Sequence, residues 1–167
     1  MKLTTYQKGI LFEDVLPLFG DHDLHKDLIR AYELQIQESF GDNKPDVIVG
    51  LDARGFLIGA TLALRLGVGF VPVRKAGKLP GKLETAEYQK EYGVDTFAIQ
   101  SDAIKPGQKV LVVDDLIATG GSAQAAGTLI EKTGGVLLGY IFIIELTFLK
   151  GREKLAAPVY TLVESQN

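Results

Sequence analysis

Cysteine is absent from all 167 residues. Disulfides, thiolate catalysis and zinc–thiolate sites are therefore excluded, and the composition fits a reducing compartment. Histidine is scarce: His22 and His25 are the whole supply, and both read as solvated residues on one helix, so a Ser-His-Asp relay has no base in reach. Positive charge is not in excess. Eighteen Lys and Arg stand against 21 Asp and Glu, for a net charge of −3, which removes the usual support for nonspecific nucleic-acid binding or an anionic membrane surface. No apolar run approaches the roughly 18–20 residues of a membrane span. Residues 1–9, MKLTTYQKG, carry no apolar leader core or cleavage site. The expectation is a cytoplasmic protein with no nucleic-acid or membrane partner. Two phosphate signatures are also missing: there is no G-x-x-x-x-G-K-[ST], and no G-x-G-x-x-G follows a strand. Kinase-type and dinucleotide readings thereby lose their main support.

What is present suits one domain spanning residues 1–167, long enough for a sizeable core. Helical spacing over residues 22–39 carries Leu24, Leu28, Ile29, Leu34 and Ile36. Apolar strands are expected at 46–51, 69–74, 97–99, 109–113, 136–145 and 158–163, and helices at 55–66 and 121–133. Residues 75–93 differ in kind, with Lys75, Lys78, Lys82 and Lys90, several glycines and little periodicity. They read as a long loop with a small antiparallel ribbon, and loops of that length inside a compact domain are usually functional. This alternation predicts an α/β fold with a mostly parallel central sheet flanked by helices. Ligands of such sheets sit at the carboxyl ends of strands. The tails of three strands carry Asp52 and Arg54, Arg74 and Lys75, and Asp114 and Asp115, as the rim of a site would.

The most informative run is Val110-Leu111-Val112-Val113-Asp114-Asp115-Leu116-Ile117-Ala118-Thr119-Gly120-Gly121-Ser122. A buried strand, ended by two acids, leads through a small-residue loop into a helix. Backbone N–H groups and the helix dipole converge there, and glycine lets the backbone close around an anion. The adjacent acids suit a polyhydroxylated group beside that anion, so the run points to a sugar phosphate.

This run resembles the phosphoribosyl-pyrophosphate motif of the type I phosphoribosyltransferases. Taken alone it fits a transferase, a synthetase or a regulator. Four further segments in the same order, Gly50–Phe56, Val73–Gly81, Tyr88–Gly93 and Glu145–Arg152, are similar to those of the adenine-specific branch of that family. The resemblance runs from about Gly9 to Leu162. One departure stands at the start: Tyr6-Gln7-Lys8 occupies the place where the family has a longer segment with prolines.

The resemblance implies the type I phosphoribosyltransferase fold, a Rossmann-like sheet with a small N-terminal hood over about residues 1–40 and a flexible catalytic loop over about 76–93. It implies that Ala118, Thr119, Gly120, Gly121 and Ser122 cradle the 5′-phosphate, and that Asp114 and Asp115 lie along the ribose hydroxyls. Asp52, Ala53 and Arg54 form the pyrophosphate loop, with a non-proline cis peptide expected after an acid in that position. Arg74, Lys75 and Lys78 hold pyrophosphate, partly across a homodimer interface. Leu11, Phe12 and Arg54 read the adenine. Glu91 is the general acid or base near the purine, and Tyr92 is its partner in the loop. The catalytic set is then Glu91, Asp114, Asp115 and Arg54. The implied reaction is transfer of the 5-phosphoribosyl group from 5-phosphoribosyl-1-pyrophosphate to adenine, giving AMP and pyrophosphate. Mg²⁺ is the implied cofactor, held mainly by substrate and water near Asp114 and Asp115 rather than by a protein cage. Another base specificity, or a regulator that senses the same activated sugar without catalysis, is the alternative.

Overall fold

The computed structural model describes residues 3–6, 10–89 and 93–165. Strands β1 (Leu3–Tyr6) and β2 (Ile10–Glu13) pair antiparallel as a separate two-stranded sheet. A four-residue helix, α1 (Pro17–Gly20), leads into α2 (His22–Phe40). Asp21 caps α2, accepting bonds from the N–H groups of Asp23 and Leu24 at 2.9 and 3.0 Å, which satisfies donors that the first turn cannot pair internally.

The remaining strands form one seven-stranded sheet. In chain order they are β3 (Val47–Leu51), β4 (Gly69–Lys75), β5 (Leu83–Gln89), β6 (Val94–Gln100), β7 (Lys109–Ile117), β8 (Val136–Leu146) and β9 (Val159–Ser165). Their spatial order is β5-β6-β4-β3-β7-β8-β9. Strands β4, β3, β7, β8 and β9 run parallel, while β5 and β6 make an antiparallel ribbon at one edge. Helix α3 (Gly55–Leu66) connects β3 to β4, and α4 (Gly121–Lys132) connects β7 to β8.

Both faces of the sheet are covered, so its central strands are apolar throughout rather than alternating. Val110 to Val113 have no solvent exposure. Val110 and Val112 pack with Ala125, Ala126, Leu129 and Ile130 of α4, whereas Leu111 and Val113 pack with α2 and α3 through residues such as Ile36 and Ile58. Helix α4 thus lies on one face and α2 and α3 on the other.

Three expectations need correction. The acids do not end β7: the strand continues through Asp114 and Asp115 to Ile117, because β8 is long enough to keep pairing, with Asp114 opposite Phe142 and Ile117 opposite Glu145. The apolar stripe of α2 is Leu28, Ile29, Tyr32 and Ile36, while Leu24 and Leu34 are about half exposed. Residues 28, 32 and 36 recur at four-residue spacing, and a position two residues after 32 falls on the opposite side of a 3.6-residue turn. Finally, residues 83–89 and 94–100 are paired strands over their whole length, a ribbon longer than the expected strand at 97–99. Ala86 and Phe97 pin it to the core.

Candidate functional site

Sheet order brings the three charged strand ends together. β3 lies between β4 and β7, and the chain leaves β3 towards β4 through a helix on one face and leaves β7 towards β8 through a helix on the other. A crevice opens at such a reversal, outside the carboxyl ends of the strands. Asp52 and Arg54 follow β3, Arg74 and Lys75 end β4, and Asp114 and Asp115 lie near the end of β7.

The β7 side is built largely from backbone. Gly120, at φ +79°, is the N-cap of α4, and the first intrahelical bond runs from the Gln124 N–H to the Gly120 carbonyl at 2.9 Å. The N–H groups of Gly121, Ser122 and Ala123 precede that bond and have no partner within the helix. The first turn carries no acidic residue, so the positive end of the dipole is not neutralised from its own sequence. Thr119 and Ser122 are partly exposed beside it.

Immediately upstream, Asp115 is buried and Asp114 partly so. Burial first, and then the neighbouring Asp115 carboxylate, push the Asp114 carboxyl well above the usual carboxylate range, with Arg54 opposing the shift. The Asp115 carboxylate meets Arg54, Nε to Oδ2 at 2.6 Å. Tyr32, fully buried, donates its hydroxyl to the Asp114 carbonyl at 3.2 Å. Burial and the two nearby acids hold its phenol above its ordinary range, so it remains a donor.

The β3–β4 side is built from charged side chains. The Asp52–Ala53 peptide is cis, as the resemblance implied. Arg74 Nε lies 3.3 Å from Asp52 Oδ2, its Nη1 donates to the Lys78 carbonyl at 3.2 Å, and its guanidinium lies 5.9 Å from the centre of the Phe56 ring. Lys75 and Lys78 are exposed. Gly55 packs closely here: a Cβ on it would stand 2.8 Å from the Val113 carbonyl and 3.0 Å from Asp114 Oδ1. Its lack of a side chain lets the start of α3 reach the β7 acids, carrying Arg54 to Asp115.

The ribbon touches the same place. A Cβ on Gly121 would lie 2.9 Å from the Gln89 carbonyl, so the end of β5 rests on the start of α4. Glu91 and Tyr92 lie outside the described residues, as do the side chains of Leu11 and Phe12, whose backbone belongs to β2. His22 and His25 belong elsewhere, in a groove between α2 and α3 with Lys26, Thr61 and Arg65.

Two residues gain roles only from the fold: Tyr32, and Glu145 at the start of the segment Glu145–Arg152. Tyr32 holds the Asp114 backbone from a helix 82 residues away, and only its place on the four-residue stripe of α2 signals that it faces the sheet. Glu145, 2% exposed, holds Arg152 beside the phosphate-side loop. An acid inside the apolar run Ile141–Leu146 was the available sign. Chemically, the crevice offers N–H donors for one anion, two carboxylates for hydroxyls or developing positive charge, and a guanidinium-and-lysine group for a second anion. Among the described residues no group of three or more His, Cys, Asp or Glu is placed to hold a metal ion, and no helix is long and apolar enough to cross a membrane.

Comparison with known proteins agrees with this geometry. The phosphoribosyl transferase domain model matches residues 19–165. An adenine phosphoribosyltransferase of Yarrowia lipolytica is 63% identical over 99% of this chain and 93% of its own. The crystal structure of the Saccharomyces cerevisiae adenine phosphoribosyltransferase, complexed with an imino-altritol bisphosphate and adenine, superposes with a TM-score of 0.91. It is 60% identical and the match covers 93% of this chain and 89% of that one. The Trypanosoma brucei adenine phosphoribosyl transferase in complex with AMP, pyrophosphate and ribose-5-phosphate has a TM-score of 0.83 at 29% identity, covering 92% of this chain and 70% of that one.

Proposed function

The chain belongs to the phosphoribosyl transferase family, and from that premise we infer that it transfers the 5-phosphoribosyl group of 5-phosphoribosyl-1-pyrophosphate to adenine, producing AMP and pyrophosphate. The observation that carries the reading is the juxtaposition at one sheet reversal of an anion-ready helix start, two adjacent carboxylates and a separate cationic cluster. A ribose bearing a phosphate at one end and a diphosphate at the other has that charge pattern. The three relatives named above, 63%, 60% and 29% identical to this chain, supply the base: each is an adenine phosphoribosyltransferase.

In this reading the N–H groups of residues 119–122 bind the 5′-phosphate. Asp114 and Asp115 accept bonds from the ribose hydroxyls. As the C1′–O bond to the diphosphate breaks, its electron pair leaves with pyrophosphate and positive charge builds on the ribose ring. The two carboxylates face that charge in a site already organised around it. Burial first, and Asp115 second, raise the Asp114 carboxyl, so a cationic sugar beside the pair favours its ionised form. The adenine N9 lone pair forms the new bond at C1′, and the N9 proton departs, with Glu91 as the acceptor we assign from the family resemblance. Arg54, Arg74, Lys75 and Lys78 neutralise the leaving pyrophosphate, with Asp52 and Ala53 shaping its loop. To bind it, Arg74 and Arg54 exchange their present carboxylate partners for the ligand. The β1–β2 hairpin with Leu11 and Phe12 forms the base-binding hood, and the segment 76–93, whose strand β5 already rests on the start of α4, shields the reaction from water.

The donor set fits Mg²⁺. Asp114 and Asp115 are hard oxygen ligands of the kind Mg²⁺ takes alongside substrate and water oxygens. When bound, the ion neutralises diphosphate charge; Asp114 and Asp115 would hold it through the ribose hydroxyls and water. A homodimer is part of the proposal. Leu57 and Leu64, 42% and 83% exposed, are two turns apart on one face of α3 and give it an exposed apolar patch. The protein is assigned to the cytoplasm. AMP formation from adenine, the activated sugar and Mg²⁺, with hypoxanthine as competitor, tests the reaction and the base choice together. No AMP overturns the assignment, and equal use of hypoxanthine overturns the adenine specificity.

A further inference from the structure

Behind the phosphate loop lies a second backbone segment. After β8 the chain makes two short 3-10 turns, Thr147–Leu149 and Gly151–Lys154. Gly151 is buried, and its backbone touches the loop directly. A Cβ on Gly151 would overlap the Ala118 carbonyl oxygen and lie 2.8 Å from the Gly120 nitrogen. In the other direction, a Cβ on Gly120 would overlap the Gly151 carbonyl oxygen and lie 3.1 Å from its Cα. Gly120 needs glycine for its positive φ as well, but Gly151 is not among the residues with positive φ. Alanine therefore suits the local conformation of residue 151, and only the loop stands in its way.

The turn is tied in place by its next residue. Arg152 Nε donates to Glu145 Oε1 at 2.8 Å, and Nη2 engages Oε2, a two-pronged contact. Glu145 is 2% exposed and is the ladder partner of Ile117, the last residue of β7 before the loop. One carboxylate thus stands beside the strand that feeds the loop and anchors the turn that backs it. Glu145 is buried but Arg152 is 43% exposed, and so partly screened an ion pair adds little to stability. What this pair does supply is a fixed position for residues 151 and 152.

We propose that Gly151 and the Arg152–Glu145 pair are positioning residues for the phosphate loop, setting the spacing of its N–H groups and hence the preference for a phosphorylated ribose. The inference rests on the reading of residues 118–122 as the 5′-phosphate cradle. AMP and adenosine share base and sugar and differ only in the phosphate, so their inhibition constants isolate the loop. Wild type is expected to favour AMP. Gly151→Ala is expected to cut that preference by about tenfold, with the adenosine constant nearly unchanged and KM for the activated sugar raised more than kcat is lowered. Should Gly151→Ala fail to fold, the double variant Glu145→Gln/Arg152→Met releases the turn without leaving a buried charge unpaired, and a smaller loss in the same direction is expected. A preference that stays at the wild-type value, or equal weakening of both ligands, in a folded variant overturns the inference while leaving the cradle intact. A wild type that binds AMP no better than adenosine overturns the cradle reading, and this inference with it.

Discussion

The two sides of the crevice proposed to hold anions are built on opposite plans. On the β7 side, the groups at the crevice are main-chain N–H donors at the start of α4, and their neighbours are backbone too: Gly151 behind Gly120, and the Gln89 carbonyl over Gly121. On the β3–β4 side, the groups are long cationic side chains, either exposed, as Lys75 and Lys78 are, or paired with a carboxylate, as Arg74 is with Asp52. A backbone cradle has little freedom to lose on binding and keeps the same donors through a reaction. Side-chain cations can exchange partners, which suits a group that must be gripped and then released. The permanent phosphate of the sugar and the departing pyrophosphate make those different demands.

The comparison can be broken most forcefully at its junction, the two β7 acids. Asp114→Asn/Asp115→Asn is expected to lower kcat by about 10³-fold or more, the scale of removing preorganised charge stabilisation, with circular dichroism unchanged. Activity within tenfold of wild type would remove these carboxylates from the chemistry. On the side-chain plan, Arg74→Met is expected to raise KM for the activated sugar about tenfold, the scale of a lost charge-assisted contact, while kcat holds within a few-fold. A fall in kcat with KM unchanged would mean that Arg74 acts in the transition state rather than in gripping pyrophosphate.

A third test concerns stability. Burial and Asp115 raise the folded-state pKa of Asp114 above its ordinary 3.8, so the folded protein binds this proton more tightly than the unfolded chain does. The associated stability is complete below the unfolded pKa and is lost as pH rises through the folded value. Asp114→Asn removes the titration. Its melting temperature is expected to exceed that of wild type at pH 7 by a few degrees, with the gap shrinking towards pH 4. A variant less stable than wild type at pH 7 would show that Asp114 is already well solvated. The smallest effect belongs to Tyr32→Phe, which deletes one hydroxyl bond to the Asp114 carbonyl. A cost of about 1 kcal/mol in stability is expected, with kcat reduced only a few-fold. Loss of activity comparable to the double acid variant would raise Tyr32 from support to participant.

The difference between the two plans also explains what could be read in the chain before its structure. The backbone cradle is legible because its geometry restricts sequence: glycines at 120 and 121, small residues around them, four apolar residues before two acids. Helix α3 matched its expected bounds, Gly55–Leu66, because Gly67 in the left-handed conformation closes it. Side-chain clusters leave weaker traces. Nothing local to Arg54 says that it meets Asp115, 61 positions away, because that contact exists only once β3 and β7 are neighbours. The extension of β7 past its acids was likewise set by the length of β8, a tertiary fact. Glu145 and Arg152 stood in the sequence as a recognisable segment, yet the role of Gly151 needed the loop it touches.

On the proposed reading, the end of β7 and the start of α4 hold the ribose phosphate. A crystal structure of the protein with AMP tests it most directly. The AMP phosphate is expected within about 3 Å of the N–H groups of residues 119–122, and the ribose hydroxyls at the same distance from Asp114 and Asp115. An AMP phosphate bound at Arg74 and Lys78 instead, with the α4 start empty, would contradict it.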